Sequence, residues 1–382
     1  MNIKDKYKSA ISDIVEKSPD DVFLFWKGRV ALFTILKAMG IKTGDEIILP
    51  GFTCVVVPNA IKYLGAIPVY VDIKRDSLNP NFNQVKNYVG KKTKVIIVQN
   101  TFGLSSDVDK ISKFAKSQGI YTIEDCTHGF GGIYNGKPNG AYCDAAFYST
   151  QWNKPFSTGI GGFAVINNRK LLQLINNLTS NLLFPTWYDE LKLFLLNLAY
   201  KITIHPGTYW LIRDMYRFLS KYSLVIGSSE GKEITSLNKP KDYFKGAGII
   251  QAWLGLKRIN YIDENIKMRK RNALKYSSFL KTHGKYHVNE RFYNNHSFLK
   301  YPLLVSKREI FQKKALKAQI PLGDWFVSPI HPVIGDLKKW SINLGELPVA
   351  AEVSQHIVNI PTEGVDVKKV LKFLNAEMNM IV

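Results

Sequence analysis

One lysine stands out by its setting. Lys154 lies in the polar loop Tyr148-Ser149-Thr150-Gln151-Trp152-Asn153-Lys154, ahead of the glycine cluster Gly159-Ile160-Gly161-Gly162 and the apolar run Phe163-Ala164-Val165-Ile166. Glycines let backbone approach a flat ligand closely, and an amine beside such a ligand can react covalently with a carbonyl. A solvated surface lysine is the plainer alternative. A second group follows an apolar stretch, in Asp125-Cys126-Thr127-His128-Gly129. A carboxylate there can cap the next turn, or it can hold a protonated ring nitrogen of a cofactor in a low-dielectric site. The third group is an anion cradle. In Phe25-Trp26-Lys27-Gly28-Arg29-Val30 a glycine turn leads from strand to helix, so backbone N–H groups and the Arg29 guanidinium could meet a phosphate. A plain strand-to-helix turn reads equally well.

Positioning these groups falls to short apolar strands alternating with helices. Residues 46–50, 68–72, 94–100 and 121–125 read as strands, and 52–64, 81–89 and 107–118 as helices. Almost wholly apolar strands require a sheet covered on both faces, so the fold class is α/β with a mostly parallel sheet. Ligands gather at the carboxyl ends of such strands, where Asp125, Ser149 and Lys154 fall. Residues 1–20 read as a short polar helix. Beyond a long helix at 265–280 lies a second domain with a strand at 298–305 and helices at 307–318 and 367–377.

The chain of 382 residues carries 52 Lys and Arg against 31 Asp and Glu, a net charge of +21. That balance favours phosphate-rich small molecules or an anionic membrane surface as partners. The lysines are spread along the whole length with no zinc-finger, RNP-type or basic-tail pattern, so nucleic acid is not expected. The three cysteines, Cys54, Cys126 and Cys143, lack metal-ligand spacing, and no signal-peptide pattern precedes them. No metal and a cytoplasmic setting are the expectations.

Several stretches together resemble the DegT/DnrJ/EryC1/StrS sugar aminotransferases, pyridoxal 5′-phosphate (PLP) enzymes of aspartate-aminotransferase fold (fold type I). They include Gly44-Asp45-Glu46-Ile47-Ile48-Leu49-Pro50, Val69-Tyr70-Val71-Asp72, Ile123-Glu124-Asp125, the lysine loop, Gln251-Ala252-Trp253-Leu254-Gly255-Leu256 and Gly345-Glu346-Leu347-Pro348-Val349-Ala350. Order and spacing hold over most of 25–375. The resemblance implies a large PLP-binding domain at 21–256 built on a seven-stranded sheet, and a smaller α+β domain at 257–382. It implies that Lys154 forms the internal aldimine and moves a proton, that Asp125 holds the pyridine nitrogen protonated, and that His128 lies beside the 3′ oxygen. Gly28, Arg29 and Ser149 would bind the phosphate, with Arg29 in place of the family's Ser or Thr. Cys54 takes the position of the aromatic that stacks on the ring, leaving that task to Phe52 or another aromatic. Trp325 and His331, in Asp324-Trp325-Phe326-Val327-Ser328-Pro329-Ile330-His331-Pro332, fall in the substrate loop. Phe244 and Gly246 replace the Asn and Arg that reach a partner subunit, leaving Lys241 and Lys245 as replacements. A homodimer, a nucleotide-linked keto sugar for surface glycan synthesis and glutamate as amino donor complete the implied picture. Lysine rather than histidine at 154 argues against the dehydrating branch. A PLP-fold protein without the activity, serving regulation or membrane-associated glycan assembly, is the alternative.

The resemblance thins between 181 and 239. Leu191, Phe194, Leu195, Leu198 and Ile202 follow helical spacing, and Arg213, Arg217 and Lys221 stand four apart among Met215, Tyr216, Phe218, Leu219 and Tyr222. Packing on the protein itself, at a dimer interface or over the active site, is the first expectation. Contact of 189–225 with an anionic membrane surface, peripheral at the inner face, is the second. No apolar run is long enough to span a bilayer.

Overall fold

The computed structural model describes residues 1–203, 208, 211, 212, 215, 216, 218, 219 and 231–382. In chain order its strands are β1 (Val22–Phe25), β2 (Glu46–Pro50), β3 (Thr53–Cys54), β4 (Ile67–Val71), β5 (Thr93–Gln99), β6 (Tyr121–Asp125), β7 (Ile133–Tyr134), β8 (Lys137–Pro138), β9 (Ala145–Ser149), β10 (Gly162–Ile166), β11 (Lys300–Leu304), β12 (Ile330–His331) and β13 (Ile357–Pro361). Seven of them form one sheet in the order β1-β10-β9-β6-β5-β2-β4. Only β10 runs against its neighbours, β1 and β9; the other pairs are parallel.

Strand alternation divides the apolar residues between two layers. Ile47, Leu49, Val95, Ile97, Ile123 and Phe147 face the helix Gly28–Ala38. Ile48, Ile96 and Val98 face Val108, Ile111 and Ala115 of the helix Val108–Ser117. Both faces are therefore dry, as the apolar strands require. The N-terminal helix Ile3–Val15 buries Tyr7, Ile11 and Val15 beside the helix Ile249–Ile259. A Cβ added at Gly255 would lie 2.4 Å from the Tyr7 ring, so the glycine lets these two helices touch.

The second body pairs β11 with β13 and packs them against the helices Ile262–Thr282, Arg308–Lys317 and Val367–Ala376 around Tyr276, Tyr301, Phe311 and Leu374. The single helix expected over 52–64 is shorter, Val56–Lys62, because Thr53 and Cys54 are extended as β3. The β-branched run around them favours that conformation. β3 pairs in parallel with β12, Thr53 opposite Ile330 and Cys54 opposite His331. This ladder carries the 325–331 loop onto the carboxyl ends of the large sheet.

Within 181–239 the helices Trp187–Thr203 and Gly231–Thr235 are formed. The stripe of Arg213, Arg217 and Lys221, with Tyr222, lies outside the described residues. Among the described residues no helix is long and apolar enough to cross a membrane.

Candidate active site

β6 and β9 end at Asp125 and Ser149, and the helix Gly28–Ala38 begins beside Ser149. That approach depends on glycine. A Cβ on Gly28 would stand 2.7 Å from the Tyr148 carbonyl oxygen and 3.1 Å from Ser149 Cβ, and one on Gly162 would stand 2.3 Å from Gly28 Cα. The N-cap residue Lys27 makes no side-chain cap, and the first helical turn directs its dipole at the Ser149 rim.

The lysine loop is closed on itself and pinned from outside. The Thr150 and Thr158 hydroxyls meet at 2.7 Å, and Thr158 N donates to the Thr150 carbonyl at 2.7 Å. Asn153, just before Lys154, adopts left-handed backbone at φ 62°. Arg269, buried in the long helix, donates to the Pro155 carbonyl at 2.7 Å and pairs with Glu363 at 2.7 Å. Arg258 donates to the Ser157 carbonyl. Gln251 Nε2 donates to the carbonyls of Trp26 at 3.1 Å and Ile160 at 2.7 Å, tying the phosphate turn to the lysine loop.

Lys154 Nζ lies 4.6 Å from the centre of the Trp325 ring. Trp325 stacks on His128 at 4.7 Å with the planes 4° apart. The backbone of Trp325 is clamped by buried Asn359 of β13, which accepts from its N–H at 2.8 Å and donates to its carbonyl at 2.5 Å. Burial pushes the Lys154 amine down to about 8, while Cys54 and Asp125 pull it back up and Arg29 adds to the fall. Burial pushes Asp125 up, opposed by Thr127, whose N–H donates to Oδ1 at 3.0 Å, and by Lys154. His128 is pushed well below the usual range by burial and then by Lys154, so its ring is neutral. Its Nδ1 accepts from Phe102 N at 3.2 Å, which leaves the proton on Nε2 as a donor. Burial raises the Cys54 thiol, keeping it protonated.

A model of the DegT/DnrJ/EryC1/StrS aminotransferase family matches residues 25–183 and 249–370, most of the chain. The chain belongs to that family. GDP-perosamine synthase of Escherichia coli is 38% identical over 144 residues, which are 38% of this chain and 40% of that protein. The aminotransferase TlmJ from Streptoalloteichus hindustanus has a TM-score of 0.75 at 18% identity, covering 99% of this chain and 91% of that one. NtdA from Bacillus subtilis, solved with bound cofactor PMP, has a TM-score of 0.71 at 18% identity, covering 100% of this chain and 78% of that one. At such identity the structural likeness establishes the fold. The chain spans about two fifths of the length of the curated relatives it matches.

The family's cofactor fits what is built here. Glycine at 28 lets the helix start press against Ser149 at the rim of β9, where its N-terminal N–H groups can meet an anion. The Asp125 carboxyl and the neutral His128 ring both lie within electrostatic reach of the half-buried Lys154 amine. The structure brings Lys154, Cys54, Asp125 and Arg29 within electrostatic reach of one another, and the β3–β12 ladder sets His331 beside Cys54. Arg29 differs from expectation in where its charge goes. Its guanidinium is buried against Glu233 of the 181–239 segment, whose carboxylate keeps it protonated despite burial. Phe52 is fully buried, edge-on to Phe326 at 4.9 Å, so the aromatic beside the amine is Trp325 instead. Lys245 is drawn into its own chain by Asp242 at 3.1 Å and Asp189 at 3.4 Å.

Four positioning residues escaped the sequence reading: Arg258, Arg269, Asn359 and Glu233. Arg269 sits in the basic run Lys267-Met268-Arg269-Lys270-Arg271, where nothing marks one cation as buried. Gln251 appeared only as part of a motif, although a Gln on an otherwise apolar helix face is a usable sign of a buried polar tie.

Proposed function

We propose that this chain is a PLP-dependent aminotransferase that moves an amino group from glutamate to a keto sugar carried on a nucleotide, for synthesis of a surface glycan. The observation that carries the reading is the half-buried Lys154 amine, brought down to about 8, beside Asp125, Cys54 and the Trp325 ring. Relatives support the substrate class, since GDP-perosamine synthase is named for a nucleotide-linked amino sugar. When bound, PLP supplies an electron sink for the carbon that gains or loses the amino group. The rest falls to the chain. Lys154 Nζ would hold the cofactor and would carry a proton to and from the reacting carbon. Asp125 would pair with the pyridine nitrogen and favour its protonated form. His128, neutral with its proton on Nε2, would be a donor to the ring oxygen. Gly28, Ser149 and the Arg29 backbone N–H would hold the phosphate, the Arg29 guanidinium being taken by Glu233, and Cys54 would border the ring. Trp325 and His331, set at the site by the β3–β12 ladder, would bound the space for the sugar and exclude water.

A homodimer belongs to the same reading. The test is a panel of nucleotide-linked keto sugars added to the protein loaded with pyridoxamine phosphate. Return of the aldehyde form with at least one of them supports the reading. No return with any, alongside return with simple keto acids, contradicts the sugar assignment.

A further inference from the structure

The helix Trp187–Thr203 is turned inside out. Its inward positions are Asp189, Glu190, Leu193, Asn197 and Tyr200. Asp189 accepts from Thr186 N at 2.9 Å and pairs with Lys245. Glu190 accepts from Ile249 N and Ile250 N at 2.6 and 2.7 Å, capping the helix Ile249–Ile259. Asn197 Nδ2 donates to the carbonyls of Leu193 at 2.9 Å and Thr158 at 3.4 Å, and Tyr200 stacks on Trp152 at 4.2 Å. The outward stripe is apolar: Trp187, Leu191, Phe194, Leu195, Leu198 and Ile202, from 38% to 76% exposed. A helix on a water-facing surface shows the reverse pattern. The apolar residues chosen from their spacing as a packing face thus point away from the protein.

Charge follows the same division. Both acids of the helix face inward, and from Leu191 to Thr203 the only charged residues are Lys192 and Lys201. Lys192 Nζ lies 4.2 Å from the Tyr188 ring, and Lys4 Nζ 5.0 Å from the Phe184 ring, so cations edge the apolar stripe next to exposed aromatics. We propose that this face docks in the plane of an anionic lipid bilayer, with the stripe among the acyl chains and the lysines at the headgroups. The chain's net charge of +21 supplies the long-range attraction.

Two other occupants fit less well. A second copy docking by a two-fold axis sets a face whose charges are all cationic against itself. Of the following segment, the described residues Leu211, Met215 and Phe218 are themselves exposed and add apolar surface. Docking has a consequence for the site. Trp152, two residues ahead of Lys154, is stacked under this helix, so the bilayer lies about one helix diameter, ~10 Å, from the lysine loop. That consequence rests on the aminotransferase reading; docking itself does not.

The test is flotation of the purified full chain with phosphatidylcholine vesicles, with and without phosphatidylglycerol, at low and high salt. The triple variant Leu191→Ser, Leu195→Ser, Leu198→Ser and the pair Lys192→Ser, Lys201→Ser run beside it, each checked for unchanged Tm and unchanged oligomer size by sedimentation. Wild type is expected to float with the anionic vesicles. The triple variant should bind them at least about ten-fold more weakly, which charge attraction alone would not produce. The lysine pair should bind more weakly at low salt only. The proposal is overturned if wild type stays unbound at low salt, if the triple variant floats as well as wild type, or if that variant splits a dimer into monomers. PLP absorbance and its response to glutamate, recorded without lipid, report on the aminotransferase reading separately.

Discussion

The ionisation of Lys154 yields a prediction that can be worked through in numbers. With its amine brought from 10.5 to about 8, about one molecule in ten is neutral at pH 7, against about one in 3,000 for an ordinary lysine. Capture of the PLP aldehyde needs the neutral amine, so the apoprotein should capture about 300-fold faster at pH 7 than a solvated lysine of equal access. Below pH 8 the rate should climb about ten-fold per unit, and it should level above about pH 8.5. Asp125 pulls the amine up, so Asp125→Asn should move the levelling point to lower pH while leaving capture intact. Apoprotein is mixed with excess PLP at a series of pH values and quenched with borohydride at timed intervals, and the mark is located by peptide mass mapping. A rate that keeps climbing ten-fold per unit to pH 10, or a levelling point that rises in Asp125→Asn, refutes the reasoning.

Three further outcomes follow from the packing. Glu124, fully buried beside Asp125, has its carboxyl raised from 4.5 to about 7 by burial. Its contribution to stability is therefore fully present below pH 4.5 and is lost as pH rises through 7. Glu124→Gln should remove about 2.5 kcal/mol of that fall between pH 5 and pH 8, read as the difference between wild-type and variant stability by urea titration. Gly28→Ala should cost about 1–3 kcal/mol in stability and abolish PLP binding, because its Cβ meets the Tyr148 carbonyl; wild-type affinity for PLP would contradict the cradle. Trp325→Ala, which removes the ring stacked on His128 and bounding the sugar space, should lower Tm and raise the KM for the keto sugar about 2- to 10-fold while PLP binding is retained; steady-state kinetics check it.

How much was legible beforehand depends on how local the cause is. The parallel strands were readable because most are short, mainly apolar runs, and Asp125, Ser149 and Lys154 were readable because they fall at or just after the ends of such runs. The Gly28 turn was readable because strand, glycine and helix are contiguous. Long-range ties left no comparable trace. Thr53 and Cys54 join Ile330 and His331 across about 277 residues, Arg269 reaches Pro155 across 114 residues, and Glu233 reaches Arg29 from the segment the family pattern does not cover. The helix at 187–203 was legible as a helix, yet its orientation was not. Periodicity marks an apolar stripe but does not say whether protein or something else receives it.

The most direct measurement is the absorbance of the PLP-loaded protein before and after glutamate, in wild type and Lys154→Ala. Wild type should pass from the aldehyde-derived band to the pyridoxamine band, and the variant should bind cofactor without making that passage. A wild-type spectrum that glutamate leaves unchanged, or a variant that converts as fast as wild type, contradicts the account.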